Sequence, residues 1–157
     1  VIFDYSMDTS VGELSLQGVT TYLDTFLRTE LPGEAAVECA GNWGSCGKNP
    51  LPELSGNYKA TISTAYDTDV SLGMRYLGST TDLNSNSIDF GSRTYFDLTA
   101  IYSYDENITA TFGVNNLTDK GTGYTSDAGT APGNGNTLPG YFDSLGRYVY
   151  MSIGVKY

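Results

Sequence analysis

The chain alternates apolar and polar positions in several separate stretches, and a period of two is the mark of half-exposed β-strands. The clearest stretch runs from Thr94 to Tyr104, where Phe96, Leu98, Ala100, Tyr102 and Tyr104 share one face and Tyr95, Asp97, Thr99, Ile101 and Ser103 the other. Leu14, Leu16, Gly18, Thr20 and Tyr22 form a face of a strand that begins near Glu13, and Tyr58, Ala60, Ile62, Thr64 and Tyr66 do the same over Gly56–Tyr66. Val70, Leu72, Met74 and Tyr76, then Ile108, Ala110, Phe112 and Val114, and finally Val149, Met151, Ile153, Val155 and Tyr157 continue the pattern. Residues 1–7 read as the end of a preceding strand. The pattern predicts an all-β chain of six strands plus an N-terminal strand stub.

The breaks between these stretches have their own order. They are short near residues 8–12, long over 30–54, short at 67–69, medium at 78–92, short at 105–107 and long over 118–146. Pro32, Gly33, Gly41, Gly44, Gly47, Pro50 and Pro52 interrupt any alternation between Glu30 and Leu54, so that stretch is expected to be a loop. An antiparallel up-and-down sheet with short turns at one end and long loops at the other produces this sequence of lengths.

Two architectures fit a sheet with one apolar stripe per strand. In a sandwich the stripes face a second sheet; in an outer-membrane barrel they face lipid, and short turns on one side and longer loops on the other are the rule. Tyr66, Tyr76, Tyr102, Tyr104 and Tyr157 fall near the ends of the stripes, where amphipathic rings suit a headgroup boundary. The opposite faces carry Ser, Thr, Gly, Asn and isolated charge rather than a second apolar set. The longest apolar runs are a few residues, too short for a helix to cross roughly 30 Å of hydrocarbon.

Composition narrows the chemistry. With 18 acidic and 8 basic residues among 157, a formal charge of −10, the chain lacks the basic footprint that a nucleic acid requires. It has no histidine, which removes the commonest acid–base group at neutral pH and the commonest metal ligand. Cys39 and Cys46 flank a glycine-rich loop, where a local disulfide suits an oxidising compartment and free thiols are the alternative. No second ligand pair stands near them for zinc. Asp67-Thr68-Asp69 and Asp105-Glu106-Asn107 offer oxygen ligands but not the spacing of a calcium loop, so they read as turns.

Several motifs occur in a familiar order: Leu51-Pro52-Glu53-Leu54-Ser55-Gly56-Asn57, Arg75-Tyr76-Leu77-Gly78, Tyr95-Phe96-Asp97-Leu98, Gly113-Val114-Asn115-Asn116-Leu117-Thr118-Asp119-Lys120, and the ending Gly146-Arg147-Tyr148-Val149-Tyr150-Met151-Ser152-Ile153-Gly154-Val155-Lys156-Tyr157. Together they resemble the C-terminal part of the β-barrel of TonB-dependent outer-membrane receptors, over essentially the whole chain. The loop from Cys39 to Gly47 is similar to the cysteine-bearing external loop of some large proteobacterial members.

The resemblance implies a transmembrane segment of a barrel of about 22 strands, closed around a plug domain. Such receptors take up siderophores, cobalamin or oligosaccharides, and a periplasmic segment couples them to TonB. The plug, that segment and most of the strands are absent from this sequence. The implied partners are those strands and the plug of the same parent chain, TonB, the barrel assembly machinery, outer-membrane lipid and a small ligand. No catalytic residue, metal or cofactor is implied.

Candidate site residues follow from these readings. Trp43, Tyr124, Asp127, Tyr141, Phe142 and Asp143 are candidates for ligand contact from the two long loops, with loop packing the competing role. Arg75 and Asp97 are expected to face the lumen, meeting the plug or one another. Met151, Ile153, Val155 and Tyr157 resemble the C-terminal signal read by the assembly machinery, with tyrosine where phenylalanine is common. A complete small barrel of about eight strands with a structural or adhesion role, and a secreted carbohydrate-binding sandwich, are the alternative readings.

Overall fold

The computed structural model describes residues 1–84, 89–124 and 136–157. Seven strands form one antiparallel sheet, the wall: β1 (Ile2–Thr9), β2 (Gly12–Tyr22), β3 (Leu54–Thr64), β4 (Thr68–Leu77), β5 (Arg93–Ser103), β6 (Ile108–Asn115) and β7 (Tyr148–Val155). Each pairs with the next in sequence, so the wall is an unbroken meander. The expected stub and six strands are all present. Among the described residues the wall does not close on itself: β1 pairs only with β2, and β7 only with β6.

Its connections separate by length. Residues 10–11, 65–67 and 104–107 join strands at one end, while residues 23–53, 78–92 and 116–147 do so at the other. Local chemistry sets the tight turns. Asp67 takes a left-handed φ of 52°, which Asp tolerates. The Asp105 carboxylate accepts the amides of Asn107 and Ile108 at 2.8 and 2.7 Å, an Asx turn that reverses the chain.

Register turns the alternation within each strand into two continuous faces. One row runs Tyr5, Leu16, Ala60, Leu72, Leu98, Val114, Val149 across all seven strands, and the next runs Met7, Leu14, Ile62, Val70, Ala100, Phe112, Met151. Between them, on the other face, lies Ser6, Ser15, Thr61, Ser71, Thr99, Gly113, Tyr150. The sheet is therefore apolar on one side and small and polar on the other. Gly18 is required in the row above Tyr5: the rings of Phe3 and Tyr58, 6.3 Å apart, lean over it from both neighbouring strands, and a side chain there would collide with them.

The long connections differ from the sequence expectation, which placed structureless loop over 30–54. Leu27–Arg28 pairs with Val37–Glu38, and Asn42–Gly44, Gly47–Leu51, Thr80–Asp82 and Asp89–Phe90 build a four-stranded sheet, the cap. Within it Asn42–Gly44 runs parallel to Thr80–Asp82, joining two separate connections. Pro50, which argued against a strand, lies in an edge strand, where its missing N–H costs no ladder bond. Pieces of two to five residues are too short to show a period.

The burial pattern is inverted relative to a sandwich. Among the described residues the buried hydrophobic ones are Cys39, Ala40, Trp43, Cys46, Phe90, Tyr95, Leu138 and Phe142, and none lies in the apolar rows of the wall. In those rows Leu72 is 43% exposed, Phe112 49% and Met151 73%. Apart from Tyr95 on the polar side of β5, this core sits in the connections, and the apolar face of the sheet is uncovered.

Candidate functional site at the junction of cap and wall

The three long connections share one small core. Trp43 comes from the first, Phe90 from the second, Leu138 and Phe142 from the third, and all four are buried together. Phe90 is the centre: its ring lies 5.1 Å from Trp43 and 5.0 Å from Phe142, the latter edge to face. The Cys39–Cys46 disulfide is formed and closes the loop that presents Trp43. Glu38 beside it caps the loop, its carboxylate accepting the amides of Phe26 and Ala40 at 2.8 and 2.9 Å. Those bonds stabilise the anion and hold its pKa below the ordinary carboxylate value.

The core continues onto the polar face of the wall through residues 141–143. The Asp143 carboxylate accepts from Arg75 on β4 at 2.5 Å. Arg75 also meets Asp97 on β5 at 3.5 Å and lies 4.9 Å above the ring of Tyr95, which is fully buried beneath it. Arg93 sits 5.7 Å from the ring of Phe142. Two carboxylates thus share one guanidinium, so the cluster carries no surplus positive charge with which to select an anion.

The Asn115–Lys120 motif ties the third connection together at its base. Asn116 is fully buried with a φ of 50°, donates its amide N–H to Asp97 at 2.8 Å, and exchanges two side-chain bonds with the backbone of Lys120. Asp119 accepts from the Arg147 amide at 2.9 Å, drawing the far end of the same connection alongside. Between this base and the Arg75 cluster lies an open cavity of about 310 Å³, bounded by Arg75, Asn115, Phe142, Asp143 and Tyr148.

The structure brings some sequence candidates together and disperses others. Arg75, Asp97 and Asp143 form one cluster, and Arg75 and Asp97 do contact one another. Trp43 and Phe142, each 3% exposed, are occupied by packing. Tyr141 lies against Phe142, its rings 4.9 Å apart, and burial pushes its phenol pKa up to about 12. Tyr124 is 74% exposed and forms a single bridge with Thr137. Asp127 lies outside the described residues. Met151, Ile153 and Val155 stand exposed on the edge strand β7, with Tyr157 just beyond it.

Asn115 and Tyr148 fall inside two of the sequence motifs but outside the candidate site residues, although they are opposed in register where β6 and β7 leave the wall. The Asn115 amide donates to the Tyr148 hydroxyl at 2.5 Å. The signal was a polar residue at the last position of one strand and a tyrosine at the first of the next. Nearby, the Tyr141 hydroxyl and Arg93 Nε are buried without a hydrogen-bond partner among the described residues, capacity that a bound water or ligand can use. The junction offers hydrogen bonds, aromatic edges and a neutralised charge cluster, which suits binding. Comparison of the chain with protein-family models, curated proteins and solved structures gives no match.

Proposed function

We propose that this chain is the C-terminal part of the wall of a TonB-dependent outer-membrane receptor, which draws on inner-membrane energy to take up a scarce ligand such as a siderophore, cobalamin or an oligosaccharide. The observation that carries the proposal is the inverted burial: a seven-stranded meander whose apolar face is uncovered while its hydrophobic core lies in the long connections. Water would penalise such a face at about 25 cal/mol per Å² of apolar surface left exposed, whereas lipid accepts it. Four consecutive apolar positions on a strand reach about 20 Å, close to the height of an outer-membrane barrel's apolar band once neighbouring strands are staggered.

Tyr66, Tyr102, Tyr104 and Tyr157 stand exposed at the short-connection end, and Tyr76 lies at the other, in keeping with two interfacial belts. On this reading the polar face lines the lumen, the cap is external, and the cavity beside Arg75 and Asp143 belongs to the ligand's route. The motif resemblance supplies the uptake role. Met151, Ile153, Val155 and Tyr157 then serve as the assembly signal.

The test uses single fluorophore-labelled cysteines in outer membranes. Labels at Leu72 and Phe112 should be quenched by nitroxide-bearing acyl chains, and labels at Thr61 and Thr99 should not. Equal quenching on the two faces would remove the membrane reading. For uptake, formaldehyde in energised cells should link the polypeptide to TonB, and failure to do so would leave only a structural barrel.

A further inference from the structure

The polar face of the wall carries a level row that extends past the junction cavity. Lys59, Gly73 and Asp97 are in register across β3, β4 and β5, and Asn115 and Tyr148 across β6 and β7. Leu98 paired with Val114 sets the two groups level with each other. A second open cavity, of about 300 Å³, lies on this row, bounded by Lys59, Ser71, Gly73, Arg75, Asp97 and Thr99. The junction cavity, of about 310 Å³, takes Arg75 together with Asn115, Asp143 and Tyr148. Arg75 therefore stands between the two and borders both. We propose that this track binds a linear, uncharged oligosaccharide that straddles Arg75 and occupies both cavities. The inference rests on the receptor reading above and selects one of the three ligand classes which that reading leaves open.

Charge carries the selection. The track is lined by two cations, Lys59 and Arg75, and two carboxylates, Asp97 and Asp143. Both carboxylates already hold Arg75, at 3.5 and 2.5 Å. An anionic chelate would have to displace one of them, and the chain's formal charge of −10 opposes its approach. A cationic ligand meets Lys59, which has no ion-pair partner among the described residues. Neutral hydroxyls avoid both conflicts, because each can accept from a guanidinium or ammonium and donate to a carboxylate. A rigid macrocycle cannot enter two pockets divided by the Arg75 side chain, whereas a linear chain of small rings can.

The lining fits a sugar in detail. The Asn115 amide donates to the Tyr148 hydroxyl, which leaves the amide's carbonyl oxygen to accept and the hydroxyl proton to donate, a match for two neighbouring hydroxyls on one ring. Tyr150 follows two residues later on the same face of β7 and lies over Gly113, where any side chain would collide with its ring. Its hydroxyl reaches Thr99, 3.3 Å away at the border of the second cavity. A ring laid over a glycine turns its other face outward, an apolar platform for the C–H side of a sugar. Gly73 keeps the middle of the track low. A Cβ there would meet only Asp97, at 3.7 and 3.8 Å, and Gly73 is not among the glycines with positive φ. Neither packing nor backbone conformation requires the glycine, so the space above it is left for a ligand.

The whole polypeptide, extracted from outer membranes in detergent, provides the test. It is presented to an array of neutral, uronic-acid and sulfated oligosaccharides, with ferric citrate and cyanocobalamin measured in parallel by calorimetry. The expected result is binding to neutral members alone. Tyr150→Leu should weaken that binding roughly tenfold, and Tyr150→Phe, which keeps the ring, should restore it. Gly73→Val fills the middle of the track and should weaken trisaccharides more than disaccharides. Heat-modifiability and Trp43 emission identify the variants that fold, and either substitution in a folded variant decides. Binding of charged members, ferric citrate or cyanocobalamin, binding to no neutral member, or neutral binding undisturbed by both substitutions would overturn the inference. Absence of saccharide binding with Leu72 still quenched by lipid sinks this inference alone; equal quenching of both faces sinks the receptor reading beneath it.

Discussion

Arg75 on β4 and Asp143 in the last long connection are 68 residues apart in sequence and 2.5 Å apart in space. This ion pair fastens the cap to the polar face of the wall, and Asp97 holds the same guanidinium from β5. All three side chains are partly exposed, so each pair is worth at most about 1 kcal/mol. Asp143→Asn should therefore loosen the third connection modestly, raising hydrogen exchange at residues 138–146 while β4 and β5 stay protected. Arg75→Leu should cost more than Asp143→Asn, because it leaves two carboxylates facing each other. A double-mutant cycle that gives no coupling between positions 75 and 143 would show that the pair fastens nothing.

The disulfide makes a different prediction. Cys39 and Cys46 close a loop with a sequence separation of 7, and both are buried beside the core. Closing a loop of this size is worth about 2–3 kcal/mol on the chain-entropy account. The cap, not the wall, should feel its loss. Trp43 is the chain's single tryptophan and is 3% exposed, so its emission should shift to the red on reduction while the far-ultraviolet β signal is retained. Simultaneous loss of both signals would mean that cap and wall melt together.

This division between wall and cap is also the division in what the sequence made legible. Each wall strand is 8 to 11 residues long, enough to repeat the period of two, and Asp67 and Asp105 mark the tight turns. The cap strands are too short to show a period, and their register is non-local: Asn42 pairs with Thr81 across two connections. The site divides in the same way. Arg75 and Asp97 lie on one face of the directly paired strands β4 and β5 and could be placed by counting. Trp43, Phe90, Leu138 and Phe142 come from three connections, and nothing in the spacing of any one announces that the other two complete a core around it.

Acid should open the cap at its Glu38 corner. The backbone amides of Phe26 and Ala40 favour the carboxylate, so the folded pKa lies below the unfolded value. A depressed folded pKa gives a contribution that is present above the unfolded pKa and is lost as pH falls through the folded one. The decline should begin below the ordinary value of 4.5. Glu38→Gln should flatten that limb of a Trp43 emission profile and leave neutral-pH emission little changed. An unaltered acid limb in the variant would transfer the effect to another carboxylate.

The alkaline limb belongs to Tyr141. Its hydroxyl is buried against Phe142, and the folded pKa stands at about 12 against an ordinary 10.0. A raised folded pKa means that its contribution is intact below pH 10 and is withdrawn as pH rises toward 12, because the unfolded chain ionises first. Tyr141→Phe removes a hydroxyl with no hydrogen-bond partner among the described residues, and should both retain the cap at high pH and delete the latest-titrating step in the phenolate absorbance. If that step survives the substitution, another buried tyrosine is its source.

Lysine substitutions at neighbouring positions of one strand separate the two faces most directly. Leu98 and Thr99 are adjacent on β5, both central in the wall, with Leu98 in the apolar row and Thr99 in the polar one. A lysine on the lipid face near the bilayer midplane costs about 2–4 kcal/mol, whereas a lumen position tolerates charge. Leu98→Lys should therefore cut the folded, heat-modifiable fraction in outer membranes sharply, and Thr99→Lys should leave it close to the parent. The two variants have the same charge, the same strand and nearly the same depth, so a difference between them reports the face alone. In a sandwich, by contrast, the fold would survive in water without a bilayer, and adding membranes would not rescue Thr99→Lys over Leu98→Lys. Equal behaviour of the pair would mean that the apolar row at Leu98 does not meet lipid.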